Sequence, residues 1–427
     1  MESSSLIQSS VTGEDLPEGY LPEAQVRALA ARGLARMDLD GRRVLVLIPD
    51  GTRTMPMPRM FQILEQELGP RVAALDYLVA LGTHSPMDDA QLSRHLGSPV
   101  AAGRAGQRRI YNHHWDDPQA FVTLGEIPAR QIRELTGGRL DQNVPVRLNR
   151  LILDYDHILI CGPVFPHEVV GFSGGAKYFF PGIAGPEMIH FTHWLGALIT
   201  SYEMIGTAET AVRAVIHRAV ELVDRPHSLL ALVAFPQGVA GIYCGPTLET
   251  WAEAADLSAR RHIVYVPKPF ERVLSIMPEI YKDLWTGAKG MYKLEPVVAD
   301  GGEVVIYAPH IREVSFVHGP LIDEIGYHCR DYFVKQWDRF GQYPGGIPAH
   351  STHLKGKGEY DAQTNMETPR IRVTLATGIP EEHCRRINLG YLDPATVHPE
   401  DWRARADWLV VPRGGEMLYR LRSTSAT

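Results

Sequence analysis

Short apolar runs of strand length alternate along this chain with segments whose apolar positions recur at helical spacing. That is the pattern of βα units around a mostly parallel sheet. RRVLVLIPD (42–50) reads as a buried strand, and 57–68 as a helix with Met60, Ile63, Leu64 and Leu68 on one face. LDYLVALG (75–82) is the next strand, and Asp88 and Asp89 open a helix that runs to about Leu96. DHILICGPV (156–164) is another strand, followed by a long polar and glycine-rich stretch. The clearest helix covers 207–223, with Thr207 as N-cap and Ala211, Val215, Ala219 and Val223 as its stripe. LLALVAFPQG, a helix near 247–259 and HIVYVP carry the alternation to about 267.

The pattern then restarts with RVLSIMP (272–278), a helix near 290–299 and the strand GEVVIYAP (302–309). IRVTLAT (371–377) and DWLVVPRGG (407–415) are later strands, and 339–363 reads as a long polar loop, uncommon unless functional or mobile. The expected fold is α/β, with two α/β domains of mostly parallel sheet and an active site in the cleft between them. One domain covers 1–267, with 405–427 as a candidate return strand to complete it. The smaller covers 268–404.

Composition narrows the function classes. The 427 residues are 44% hydrophobic and 22% charged, the balance of an ordinary globular chain rather than a disordered or fibrous one. Net charge is −7, so nothing global draws the chain to nucleic acid or anionic lipid, and a small-molecule partner is expected. Four scattered cysteines without a CxxC pair read as buried thiols of a reducing compartment. With a polar, acidic start and no 18-residue apolar run, the expected location is the cytoplasm, away from membranes.

The polar motifs fall directly after strands. Asp50 and Arg53 (PDGTRTMP), His84 (GTHSP) and the segment 163–182 (PVFPHEVVGFSGGAKYFFPG) each follow one, and Lys289 comes after a slightly longer interval. Carboxyl ends of parallel strands line one crevice, so these segments can converge. GFSGGAK is not a P-loop, because Ala176 and Tyr178 stand where glycine and Ser or Thr are needed. Its glycines still allow close backbone approach to a ligand, and a pliant turn of this kind could admit a nucleotide; a tight surface turn with a solvated lysine explains the same residues. Eighteen histidines is a high count, and His167, His190 and His193 stand around this loop, suited to acid/base work or to nickel, copper or zinc. No HExxH or thiolate pair is present, which excludes a zinc protease or zinc finger.

HEVVGFSGGAKYFFPGIAG followed by HFTHW, and preceded by DGTR and GTH, resembles the lactate racemase family, which uses a nickel-pincer nucleotide. The resemblance runs from about residue 45 to 300. It implies a cofactor-binding N-terminal domain in which Lys177 tethers a pyridinium-3-thioamide-5-thiocarboxylic acid mononucleotide, with Asp50, Ser173, Gly174 and Gly175 beside it. His193 would complete the nickel coordination, with His190 as a competitor whose interval from the lysine does not fit. By the same resemblance His84 and His167 are the acid/base pair. Arg53 would hold the substrate carboxylate with Lys289 adding charge, Asp50 would hold cofactor or orient Arg53, and Trp285 and Thr286 would line the substrate site. Such racemases usually carry glutamine where this chain has Thr286, which leaves the substrate open. His350 and His353 stay open between pocket lining and loop surface, and Trp285, Phe172, Tyr178 and Phe179 could line an apolar pocket or pack in the core.

The implied function is inversion at C2 of a small α-hydroxy carboxylate, lactate-like, by reversible hydride transfer, with enzymes of cofactor biosynthesis as partners. The alternatives are a sugar-acid (aldonate) 2-epimerase and a protein that binds a hydroxy acid or nucleotide without turning it over.

Overall fold

A computed structural model describes residues 10–422. Eight strands form the larger sheet, in the order Thr12–Asp15, Gly238–Pro246, His227–Phe235, His157–Pro163, Arg43–Ile48, Ala74–Val79, Arg108–Asn112, Arg104–Ala105. The five from His227–Phe235 to Arg108–Asn112 run parallel; the outer strands are antiparallel to their neighbours. Val44, Leu45, Val46, Leu47 and Ile48 are all buried, as expected of a parallel strand covered on both faces. After Arg43–Ile48 the chain moves one way to Ala74–Val79 and later returns on the other side as His157–Pro163. That reversal opens a crevice at the carboxyl ends of these two strands.

A second sheet is wholly parallel, in the order Gly390–Tyr391, Arg372–Thr377, Val298–Ala308, Phe270–Ile276, Trp408–Val411. The α/β class and the mostly parallel sheets are therefore as the hydrophobic pattern implies. Trp408–Val411 lies at the edge of this second sheet, and Leu418–Leu421 pairs with Ile263–Val266 in a separate two-stranded ribbon. The end of the chain, as far as residue 422, thus adds no strand to the larger sheet. Among the described residues no helix is long and apolar enough to cross a membrane.

Several local expectations change. Helix Ala211–Val220 is capped by Thr210, whose hydroxyl accepts from the Arg213 N–H, because the Thr207 N–H already closes the preceding turn on Met204. In place of a helix at 290–299 there are two single turns, Leu284–Gly287 and Lys289–Tyr292. Glu295–Val297 then leads straight into strand Val298–Ala308, since Pro296 and the β-branched pair Val297 and Val298 favour extension over helix. The segment 339–363 is not an open loop. Gly346–Lys355 is a helix buried along its whole length and packed on helix Pro186–Ile199, so tertiary burial overrides the weak helical tendency of its His, Ser and Thr residues. The stretch after 164 is likewise interior rather than polar surface, and Phe172 and Phe179 are core residues.

Candidate active site

The crevice collects the motifs that follow strands Arg43–Ile48, Ala74–Val79 and His157–Pro163. Asp50 is buried, and its Oδ1 accepts from the Thr52 N–H (2.8 Å) and hydroxyl (2.5 Å), an arrangement that closes the DGT turn. Its Oδ2 lies 2.5 Å from His84 Nδ1. Burial alone would raise the Asp50 carboxyl, but His84, Arg53 and Thr52 outweigh it and hold the group well below the carboxylate range. An ionised Asp50 only accepts hydrogen bonds, so His84 donates from Nδ1, and in its neutral form the ring leaves Nε2 as the lone pair. Asp50, expected to hold a cofactor or orient Arg53, is thus bonded through Oδ2 to His84, the histidine expected to act as acid/base.

His167 is held the opposite way. Its Nδ1 accepts the Val169 N–H at 3.1 Å, so the neutral ring carries its proton on Nε2. Burial, helped by Lys177 and Arg53, pushes this imidazole well below its ordinary range, against the pull of Glu168. Glu168 Oε2 is 3.4 Å from the same Nδ1. Burial would raise the Glu168 carboxyl, yet the His167 ring and the Lys289 ammonium hold it below the usual range.

Lys177 sits in the single turn Gly175–Tyr178. Burial, reinforced by Arg53 and offset in part by Glu168, lowers its amine to about 7, and its Nζ has no hydrogen-bond partner among the described residues. The turn before it is braced rather than pliant. The buried Arg213 guanidinium donates to the carbonyls of Phe172, Ser173 (3.3 Å) and Gly174 (3.2 Å), and Trp251 Nε1 donates to Ser173 O at 2.8 Å. The Ser173 hydroxyl bridges Pro163 O and the Phe165 N–H. A Cβ on Gly175 would meet the Trp251 side chain at 2.8 Å, and one on Gly174 would meet Val164 Cγ2 at 2.6 Å. These glycines also have φ of +58° and +76°, so both conformation and protein packing require them.

His193 lies about two turns along helix Pro186–Ile199, with Nδ1 donating to Ile189 O at 2.6 Å. The bond fixes the tautomer and leaves the Nε2 lone pair to the cavity, the arrangement that suits a metal ligand. Burial, with Lys177 and His353 nearby, lowers His193 to about 3, so it stays neutral. His190 faces elsewhere, against Trp115 and the Gly345–Gly346 turn.

One cavity of about 90 Å³ joins these groups: His84, His167, Glu168, Lys177, His193 and Arg53 from the first half of the chain meet Trp285, Thr286, Lys289, Tyr292, His350 and His353 from the second. Arg53 Nη1 is buried without a partner, as are both ring nitrogens of His353. Buried polar atoms of this kind are costly unless a ligand or water satisfies them. Four basic side chains, Arg53, Lys177, Lys289 and Lys293, stand around two carboxylates, Asp50 and Glu168. The ammonium groups of Lys289 and Lys293 are lowered to about 8 and about 7, by burial first and then by their cationic neighbours. That excess of positive groups suits an anion.

The inner cavity collects every site residue expected from the motifs except Asp50, Ser173, Gly174 and Gly175; Asp50, Ser173 and Gly174 line a smaller space beside Lys177 and Arg53, and Gly175 packs on Trp251. It adds Glu168 and Tyr292, and it puts His350 and His353, left open between pocket lining and loop surface, in the lining. Glu168 adjoins a singled-out histidine in sequence, whereas nothing in the sequence marks Tyr292. Thr286 Oγ1 donates to Asp283 Oδ1 at 2.7 Å, so its hydroxyl is committed to the cap of its own turn. A second, open cleft of about 470 Å³ shares Thr83, His84, Trp285 and Thr286 with the inner cavity.

Residues 8–206 match the profile of the lactate racemase N-terminal domain. The lactate racemase of Thermoanaerobacterium thermosaccharolyticum is 21% identical over 275 residues, 62% of this chain and 60% of that protein. That of Lactiplantibacillus plantarum is 25% identical over 179 residues, 42% of this chain and 37% of that protein, so the matches span less than two thirds of either relative. Among solved structures, a Thermotoga maritima protein is 31% identical with a TM-score of 0.87, covering 95% of this chain and 100% of that one. The lactate racemase apoprotein from T. thermosaccharolyticum shares the fold, with a TM-score of 0.72 at 17% identity over 94% of this chain and 93% of that one.

Proposed function

From the premise that the chain belongs to the lactate racemase family, we propose that it is an isomerase that inverts C2 of a small 2-hydroxy acid. The observation that carries this reading is the inner cavity, which gathers the imidazoles of His84 and His167, the Lys177 amine lowered to about 7 and an unpaired guanidinium nitrogen of Arg53.

The residues fit a lysine-tethered nickel-pincer nucleotide. Lys177 offers an amine that is largely unprotonated just above neutral pH, and His193 offers one imidazole lone pair in the same cavity. Among the described residues no three His, Cys, Asp or Glu side chains are grouped to hold a metal ion, so further donors would have to come from the nucleotide itself. When bound, that group supplies a hydride acceptor and donor for C2.

The chain's own residues do the rest. Arg53 can take the substrate carboxylate through its unpaired Nη1, with the Lys289 charge beside it. His84, held as the Nδ1–H tautomer by Asp50, can accept the hydroxyl proton of one enantiomer at Nε2. For the other enantiomer His167 must present Nε2 as a base, which requires its proton on Nδ1. There Glu168 Oε2, at 3.4 Å, is the acceptor that can replace the contact with Val169 N–H. Burial of the cavity keeps water from the reacting carbon.

Producing the protein with enzymes that make the nucleotide, then following lactate and other short 2-hydroxy acids by chiral chromatography, tests the proposal. Interconversion of enantiomers is expected. Adducted, nickel-bearing protein that interconverts none of these acids would overturn it. His193→Ala should lose nickel while keeping the organic adduct mass, and His190→Ala should keep both; the reverse order would move the metal ligand to His190.

A further inference from the structure

We infer that the open cleft outside the inner cavity is the subsite for the substituent on C2, and that it selects a bulky apolar or aromatic group over methyl. This rests on the hydroxy acid reading above. With the carboxylate at Arg53 and the hydroxyl between His84 and His167, the third substituent must leave the inner cavity, whose volume of about 90 Å³ leaves little room for it. The way out passes Thr83, His84, Trp285 and Thr286, the residues shared with the larger space of about 470 Å³. Thr286 turns its hydroxyl to Asp283 and so keeps no polar claim on that passage.

A planar 2-keto acid has its carboxylate, oxygen and substituent in one plane, so both enantiomers can use one substituent site. Aromatic rings form much of the wall there, and the carboxylates of Asp50 and Asp283, which also line the cleft, are taken up by His84 and by the Thr286 turn. Trp285 stacks on His350 with ring centroids 3.8 Å apart and planes 4° from parallel, and His318 tilts on it at 4.6 Å. Burial lowers His350 to about 3 and His318 to about 4, so both rings are neutral. At the mouth, Phe316 is 64% exposed, beside exposed Val317 and Ile280. Three large apolar side chains open to solvent around one cleft mark a place where apolar ligand surface is buried. A methyl group would leave them wet; a benzyl or isobutyl group would cover them. The cations at the rim, Arg94 and Lys282, are solvent-exposed and build no second carboxylate site.

The test compares lactate, 2-hydroxyisocaproate, 3-phenyllactate and malate, as racemisation kcat/KM on adducted protein and as calorimetric Kd on cofactor-free protein. The expected result is a preference for 3-phenyllactate over lactate of about tenfold or more in both measurements, given what added apolar contact contributes in a pocket. Phe316→Ala should remove about tenfold of the 3-phenyllactate kcat/KM, leave lactate within about twofold, and leave adduct mass unchanged. Equal or better use of lactate, a preference for malate, or an equal loss on every acid in Phe316→Ala would overturn the inference. Loss of adduct in Phe316→Ala would overturn it too, because the cleft would then hold the nucleotide. If 3-phenyllactate binds more tightly than lactate yet adducted protein racemises no acid, the subsite stands and the racemase reading fails.

Discussion

Alanine at either His84 or His167 is expected to lower net racemisation by about 10²- to 10⁴-fold, the usual loss for a positioned acid/base group, with adduct mass and nickel content unchanged. The two sites should fail in different half-reactions. His84 stands ready as a base, with Asp50 2.5 Å from its Nδ1, whereas His167 must first shift its proton from Nε2. With one enantiomer supplied, the variant lacking that enantiomer's base should leave the cofactor absorbance unbleached, while the other variant should still bleach it. Near wild-type racemisation by either variant would make that histidine structural.

Lys177→Ala should show the unmodified mass under conditions that adduct the wild type, and with it no detectable racemisation. An unchanged adduct on the variant would refute the assignment. The environment of the amine gives an independent handle. A lysine of ordinary pKa near 10.4 is almost wholly protonated at neutral pH, whereas one lowered to about 7 is half unprotonated there. The rate at which trace acetic anhydride acetylates Lys177, read by peptide mass mapping on cofactor-free protein, should therefore rise through a midpoint near pH 7 and level off above it. A midpoint near that of the exposed lysines would show that burial does not depress this amine.

Much of this site is legible in the sequence because its residues sit where a parallel sheet delivers them. Asp50 and His167 each follow a strand whose apolar run marks it as doubly covered, His84 follows Ala74–Val79, and the reversal between Arg43–Ile48 and His157–Pro163 brings them together. Pairing is harder to read than position. That Asp50 bonds His84 depends on a turn geometry set by Thr52, and that His167 is held through Nδ1 depends on the Val169 amide. The glycines of GFSGG read as room for a ligand, but their open sides face Trp251, Val164 and Pro163. Helix Gly346–Lys355 was hidden by composition: His350, Ser351, Thr352 and His353 are weak helix formers, and only burial against Pro186–Ile199 fixes them. Local pattern thus recovers what backbone covering determines and misses what tertiary contact determines.

Carrying out racemisation of (S)-[2-²H]lactate in ordinary water, with both product enantiomers read by chiral separation and mass spectrometry, tests most directly the claim that His84 and His167 move only the hydroxyl proton. If lactate proves too poor a substrate, (S)-3-phenyl-[2-²H]lactate serves the same purpose. Deuterium is expected to stay on C2 of the inverted product, because the C2 hydrogen never passes through an exchangeable imidazole. Washout of the label into water at the rate of inversion would instead mean that the histidines deprotonate C2 itself.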